Sequence, residues 1–122
     1  MIFATAVLLD RRTLSSAVSR FEKGDTSVQM VSVAKYPVPV EWAMRMDEAG
    51  MLDPLKREKL GIRSQDLPEA WYETADFVLY DEQSIFSNDV HSPKRGFAIP
   101  YMSVDIDNHE DWQLAIEYYL LI

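Results

Sequence analysis

Cysteine is absent from this chain of 122 residues, which excludes a disulfide framework, thiolate metal ligation and a thiol nucleophile. Nothing in the composition argues for export, and a reducing cytoplasm fits. Histidine occurs only at His91 and His109, eighteen positions apart with no third partner, so zinc-ligand spacing is missing and neither is a convincing catalytic base. Ser64 has no Gly-x-Ser-x-Gly elbow around it, which argues against a hydrolase triad. The four glycines, Gly24, Gly50, Gly61 and Gly96, never cluster, so no glycine-rich loop can cradle phosphates. Long hydrophobic runs are also missing: Met1 to Leu9 has no basic leader and stops at Asp10, short of a membrane span. Basic charge is scarce, with 12 Lys and Arg against 20 Asp and Glu for a net charge of -8, and such a field repels phosphate backbones and anionic lipid. Nucleic acid and membranes are therefore poor partners.

What is present is a folding composition, 48% hydrophobic and 26% charged, long enough for one domain. The run Ile2 to Leu9 lacks strict alternation and predicts a strand buried on both faces. Leu14, Ala17, Val18 and Phe21 recur at helical spacing, with Asp10 or Thr13 as N-cap and Gly24 as the stop. The β-branched stretch Ser27 to Ala34 predicts a second strand, parallel to the first in a βαβ unit. Tyr36-Pro37-Val38-Pro39 breaks this pattern and opens a new substructure. There Trp42, Met44 and Met46 alternate with polar residues as in a half-buried strand, core or subunit interface, ending in a turn at Glu48-Ala49-Gly50. Further strands are predicted at Asp76 to Tyr80 and Gly96 to Ile99, with a short helix over Glu82 to Phe86 and a polar loop carrying Asn88, Asp89 and His91. Trp112, Ala115, Ile116 and Tyr119 predict a closing helix, opened by Asn108 with Asp111 three residues later.

Arg63-Ser64-Gln65-Asp66-Leu67-Pro68-Glu69-Ala70-Trp71 resembles a signature of the acylneuraminate and pseudaminic acid cytidylyltransferases. Ile2-Phe3-Ala4-Thr5-Ala6, Val31-Ser32-Val33 with Tyr36-Pro37-Val38-Pro39, and Phe97 to Pro100 followed by Val104 to Asp107 and Glu110 to Trp112 are similar to other segments of that family, in order and spacing. The chain departs from it at Ala75-Asp76-Phe77-Val78, where the family commonly carries a Gly-Gln-Phe-Tyr-like run.

The resemblance implies an α/β fold: part of a doubly wound nucleotidyltransferase-type sheet with an inserted β-rich dimerisation segment. It implies one domain over 1–122, with 1–35 and 98–122 as the α/β core and about 36–97 as the inserted dimerisation and sugar-site segment. Family members couple CTP to an acidic nine-carbon sugar as its hydroxyl attacks the α-phosphorus and expels pyrophosphate. The chain begins at what resembles the family's fourth strand, so the resemblance implies a C-terminal half without the CTP site, inactive alone. The alternative is a non-catalytic homologue that self-associates or binds sugar.

The resemblance assigns Asp105 and Asp107 to Mg²⁺: two apart on an extended segment, they project to one face as hard oxygen ligands. The other reading is that Asp107 with Asn108 starts a helix and Asp105 is solvated. Arg63 and Gln65 are the sugar-binding candidates, guanidinium for the carboxylate and amide for hydroxyl or N-acyl groups, unless Asp66 and Glu69 pair with Arg63 in a polar turn before a helix at Pro68. Thr5 falls where the family strand ends near sugar and nucleotide, or else caps its own backbone. Lys94 and Arg95 resemble a phosphate clamp, but solvation accounts for adjacent basic residues in an acidic chain. A homodimer is expected, both from the exposed edge of an Ile2 to Leu9 strand and because relatives pair through the inserted segment.

Overall fold

The computed structural model describes residues 1–86 and 89–121. Its elements run α1 (Arg11–Glu22), β1 (Met30–Lys35), a 3-10 turn (Val40–Trp42), β2 (Met44–Met46), β3 (Leu52–Pro54), two further 3-10 turns (Arg57–Lys59 and Ser64–Asp66), β4 (Trp71–Leu79), β5 (Arg95–Ala98) and α2 (His109–Leu121). They fall into two units, one comprising Met1–Ala34 and Glu73–Ile122, the other Lys35–Tyr72.

The first unit is a mixed α/β body on a three-stranded sheet of order β4-β1-β5. β1 and β5 run parallel, with Met30 opposite Arg95 and Val33 opposite Ala98. Helix α1 starts where expected: the Asp10 carboxylate accepts the Thr13 N–H at 2.7 Å and the Thr13 hydroxyl at 3.2 Å. The Thr13 backbone bond holds the Asp10 carboxyl below its ordinary value of 3.8. Ala17 and Phe21 of α1 pack with Met30, Phe77 and Phe97 in the core, flanked by Leu9, Leu14, Leu79 and Ile99. The Phe77 and Phe97 rings meet at 5.9 Å, tilted by 57°. Arg95 closes the end of α1, donating to the Arg20 and Asp25 carbonyls at 3.1 and 2.7 Å with its guanidinium over the Phe21 ring. A Cβ on Gly24 would lie 2.5 Å from that guanidinium, which would have to shift.

Strand β4 kinks at Ala75, whose φ of 54° places a non-glycine residue in the left-handed region. After the kink Asp76 and Phe77 are buried side by side, which simple alternation forbids. Ser32 of β1 absorbs the disturbance: its hydroxyl oxygen accepts both the Asp76 and the Phe77 N–H at 3.1 Å and donates to the Phe77 carbonyl at 3.3 Å.

The Lys35–Tyr72 unit contains a two-stranded antiparallel hairpin, with Met44 opposite Pro54, Arg45 opposite Asp53 and Met46 opposite Leu52. Asp47 shapes its turn by accepting the Ala49 and Met51 N–H groups at 2.9 and 2.8 Å, and Gly50 supplies the positive φ of 81°. In the same unit the Tyr36 N–H donates to the Ala70 carbonyl at 2.9 Å, and the Tyr36 and Tyr72 rings lie 5.0 Å apart.

Several expectations are corrected. Ile2 to Leu9 is not a strand and forms no parallel pair with β1: only Ile2 bridges β4, antiparallel and opposite Phe77, after which turns run through Ala4–Thr5 and Val7–Leu8. The small residues of this stretch let Ala6, Val7 and Leu9 donate to carbonyls two or three positions back, and of the run only Leu8 is buried. The edge argument for dimerisation therefore loses its basis. Val40 to Met46 is a strand only over β2, and all three of its side chains are exposed, so the half-buried face expected there does not form. Glu82 to Phe86 is a series of turns, with the Ser84 N–H bonded to the Asp81 carboxylate at 2.8 Å, not a helix. No helix begins at Pro68, where the chain runs on into β4. Asn88 lies outside the described residues. No helix among the described residues is long and apolar enough to cross a membrane.

The kink yields a prediction. Ala75→Gly should raise stability by about 0.5 kcal/mol, the relieved left-handed strain of about 1 kcal/mol or more outweighing the entropy that glycine loses. Urea denaturation measures it, and a variant less stable than the parent would show that Ala75 carries no strain.

Candidate functional site

The Lys35–Tyr72 unit carries a cavity of about 470 Å³ built from two stretches distant in sequence. Lys35 to Pro39 supplies one wall; Ser64, Gln65 and Leu67 to Ala70 supply the other. The prolines explain the shape, since Pro37, Pro39 and Pro68 hold both walls extended and withhold N–H groups that would otherwise pair them. Lys35, the last residue of β1, lines the cavity.

Of the predicted sugar residues, Gln65 lines this cavity. Arg63 stands at the N-cap of the Ser64–Asp66 turn, and its Nε donates to the Asp66 carboxylate at 2.9 Å. Glu69 pairs with Lys35, not with Arg63. Both ion pairs are exposed and weak, so an incoming carboxylate can compete for either cation at small cost. Lys35 escaped sequence reasoning; the signal that points to it is its place after an apolar β-branched run, just ahead of the prolines. Chemically, the cavity offers the Lys35 ammonium for an acid group, the Ser64 hydroxyl and Gln65 amide for hydroxyl or amide groups, and Val38 and Leu67 for methyl groups, while Arg63 stands outside its lining.

Thr5, Asp105 and Asp107 belong to the other unit. Thr5 is half-buried in a turn, and its carbonyl accepts the Val7 N–H at 2.8 Å. Asp105 and Asp107 are exposed, and Ile106 between them is half-buried. The start of α2 adjoins them: Asn108 accepts the Glu110 and Asp111 N–H groups at 2.8 and 3.0 Å, and Asp111 accepts those of Asp107 and Asn108 at 3.0 and 3.1 Å. Asp107 thus enters the cap through its backbone and keeps its carboxylate free of it. No group of three or more His, Asp or Glu among the described residues is arranged to hold a metal. Two carboxylates fit Mg²⁺ as a partial shell, because this ion keeps waters and takes phosphate oxygens.

The segment bearing these aspartates is tied to β4 by a polar cluster that sequence reasoning missed. The buried Asp76 carboxylate accepts the Thr74 hydroxyl at 2.5 Å and the Ser103 hydroxyl at 3.2 Å, and the Ser103 hydroxyl also lies 3.2 Å from the Thr74 carbonyl. The Tyr101 hydroxyl is buried beside this cluster without a partner in bonding geometry. Burial, then the Asp76 charge, pushes the Tyr101 phenol above its usual 10.0. Lys94 pairs with Glu73 at 2.7 Å, and the Arg95 guanidinium is engaged by the carbonyls at the end of α1.

Neither a protein-family model nor a curated protein matches this chain.

Asp76→Ala should cost about 2 kcal/mol, because the Thr74 and Ser103 hydroxyls lose a charged acceptor inside the fold. Asp76→Asn should cost less, since its amide oxygen still accepts. Denaturation midpoints check both, and an alanine variant as stable as the parent would strip the cluster of its anchoring role.

Proposed function

We propose that this chain supplies the acidic-sugar side of a cytidylyltransferase acting on a nonulosonic acid. One observation carries this reading: the segments Tyr36-Pro37-Val38-Pro39 and Arg63 to Trp71, which resemble that family independently, contribute the walls of one cavity. A second supports it: Ala75, standing where the family has glycine, has the positive φ that glycine favours.

In this reading the sugar carboxylate displaces Glu69 from Lys35 or Asp66 from Arg63 and takes their place. Gln65 and Ser64 orient the polyhydroxyl body, while Val38 and Leu67 receive an N-acyl methyl. Holding the sugar fixed lets its hydroxyl meet the α-phosphorus of CTP in line. Asp105 and Asp107 would hold Mg²⁺, which neutralises phosphate charge when bound. With four scattered glycines the chain lacks a loop to cradle the triphosphate, so it turns over no CTP by itself.

Self-association belongs to the same proposal. Lys35–Tyr72 carries six basic and seven acidic residues, and its hairpin exposes Met44, Met46, Met51, Leu52 and Leu55. A near-neutral, methionine-rich surface suits a two-fold contact between copies.

Calorimetry with N-acetylneuraminate, without nucleotide, should give a dissociation constant of about 1 mM. Gln65→Ala and Lys35→Ala should each weaken it about fivefold or more, and a neutral hexose should not bind. No heat at tens of millimolar, or equal binding of the hexose, would remove the sugar reading. For the dimer, sedimentation at micromolar concentration should give twice the chain mass of 14.1 kDa, reverting to the single mass in Met46→Asp with Leu52→Asp. A parent chain that sediments at the single mass rules that contact out.

A further inference from the structure

Two charged side chains of opposite sign line the cavity of the Lys35–Tyr72 unit, Lys35 on one wall and Glu69 on the other, and each is the partner of the other. The rest of the lining is uncharged. Arg63 and Asp66 form a separate pair, and neither belongs to the lining. The Lys35 and Glu69 side chains are both more than half exposed, so their pair is weak and a ligand can open it. An ion pair that joins the two walls of a cavity is therefore the feature any charged occupant must answer.

A ligand that brings only a carboxylate to Lys35 deprives Glu69 of its cation and sets a second negative charge beside it. Two carboxylates then share one ammonium. An acylated nitrogen on the ligand offers Glu69 a single neutral N–H, whereas a protonated primary amine offers a full charge and three donors. The unit carries six basic and seven acidic residues, so no general field draws cations to this cavity and the discrimination falls to Glu69 itself. Building on the acidic-sugar reading of the cavity, we propose that its occupant is zwitterionic: an amino-sugar acid that keeps one amine unacylated. Its carboxylate meets Lys35 and its ammonium meets Glu69, which makes Glu69 a specificity-determining residue. Inserted in this way, the ligand exchanges one ion pair for two and leaves neither charge of the lining unmet. A second nitrogen on the same sugar can still carry the acyl methyl that Val38 and Leu67 receive.

The probes are the methyl glycosides of neuraminate and of N-acetylneuraminate, which differ only in the acetyl group and whose blocked ketone cannot condense with the free amine. Calorimetry should show the free-amine glycoside binding about threefold or more tightly than the acetylated one, by a margin that shrinks as salt is added. Glu69→Gln should erase this preference from both sides. It removes the carboxylate that holds the ammonium, so the free-amine glycoside weakens, and it removes the charge that opposes a lone acid, so the acetylated one tightens. The Glu69 side chain is exposed, and circular dichroism verifies that the variant folds. Equal binding of the two glycosides, tighter binding of the acetylated one, or an unchanged preference in folded Glu69→Gln overturns the proposal and leaves the acidic-sugar reading in place. Failure of both glycosides to bind overturns it as well, and free N-acetylneuraminate, measured alongside, shows whether the acidic-sugar reading falls with it.

Discussion

A single serine hydroxyl carries the consequences of the kink at Ala75. Turning one residue of β4 into the left-handed region brings Asp76 and Phe77 inward together, and their N–H groups would be buried without partners. An unsatisfied buried amide costs about 1–3 kcal/mol. A hydroxyl has two acceptor sites and one donor, and Ser32 uses all three here. No apolar residue could do this, and a larger polar one would not fit at a position 1% exposed. Phe77 can then be fully buried against Phe97, Met30 and α1, so the core of the first unit rests on the kink being tolerated.

The other product of the kink is the inward carboxylate of Asp76. Having no cationic partner, it is satisfied by hydroxyls, and one of them, Ser103, is carried by the segment that leads into α2. Between this anchor and the Asn108–Asp111 capping box, Asp105 and Asp107 are held at both ends by bonds that involve neither of their carboxylates. Structural satisfaction and chemical availability are thus divided between adjacent residues.

Features governed by neighbours along the chain were legible in the sequence. The Asp10 cap, the Ala17 and Phe21 face, the Gly24 stop and the Asn108–Asp111 box all depend on spacings of four residues or fewer within a turn. The strand Met30–Lys35 and the closing helix follow from composition with period. Features that depend on distant partners were not legible. Ile2 to Leu9 is apolar enough for a buried strand, but its small residues close local turns, and apolarity alone does not choose between these. Trp71 to Glu73 extends β4 well ahead of its apolar part, in a sheet whose neighbouring strand is distant in sequence. Half of the candidate cavity was visible through Gln65 and its signature. Lys35 was not, since a lone lysine means nothing until the sheet places it at a strand end.

Net charge, read from composition alone, conceals how the chain distributes it. The Lys35–Tyr72 unit is nearly balanced, and almost the entire excess of -8 belongs to the other unit. Both expose large apolar side chains, so hydrophobic area cannot tell their partners apart. Charge differs between them: the exposed methionines of the hairpin sit in a nearly balanced unit, whereas Trp112 and Tyr119 sit in an acidic one. Where apolar burial supplies affinity, the charge around it selects among partners, so the same exposed area has a different meaning in each unit.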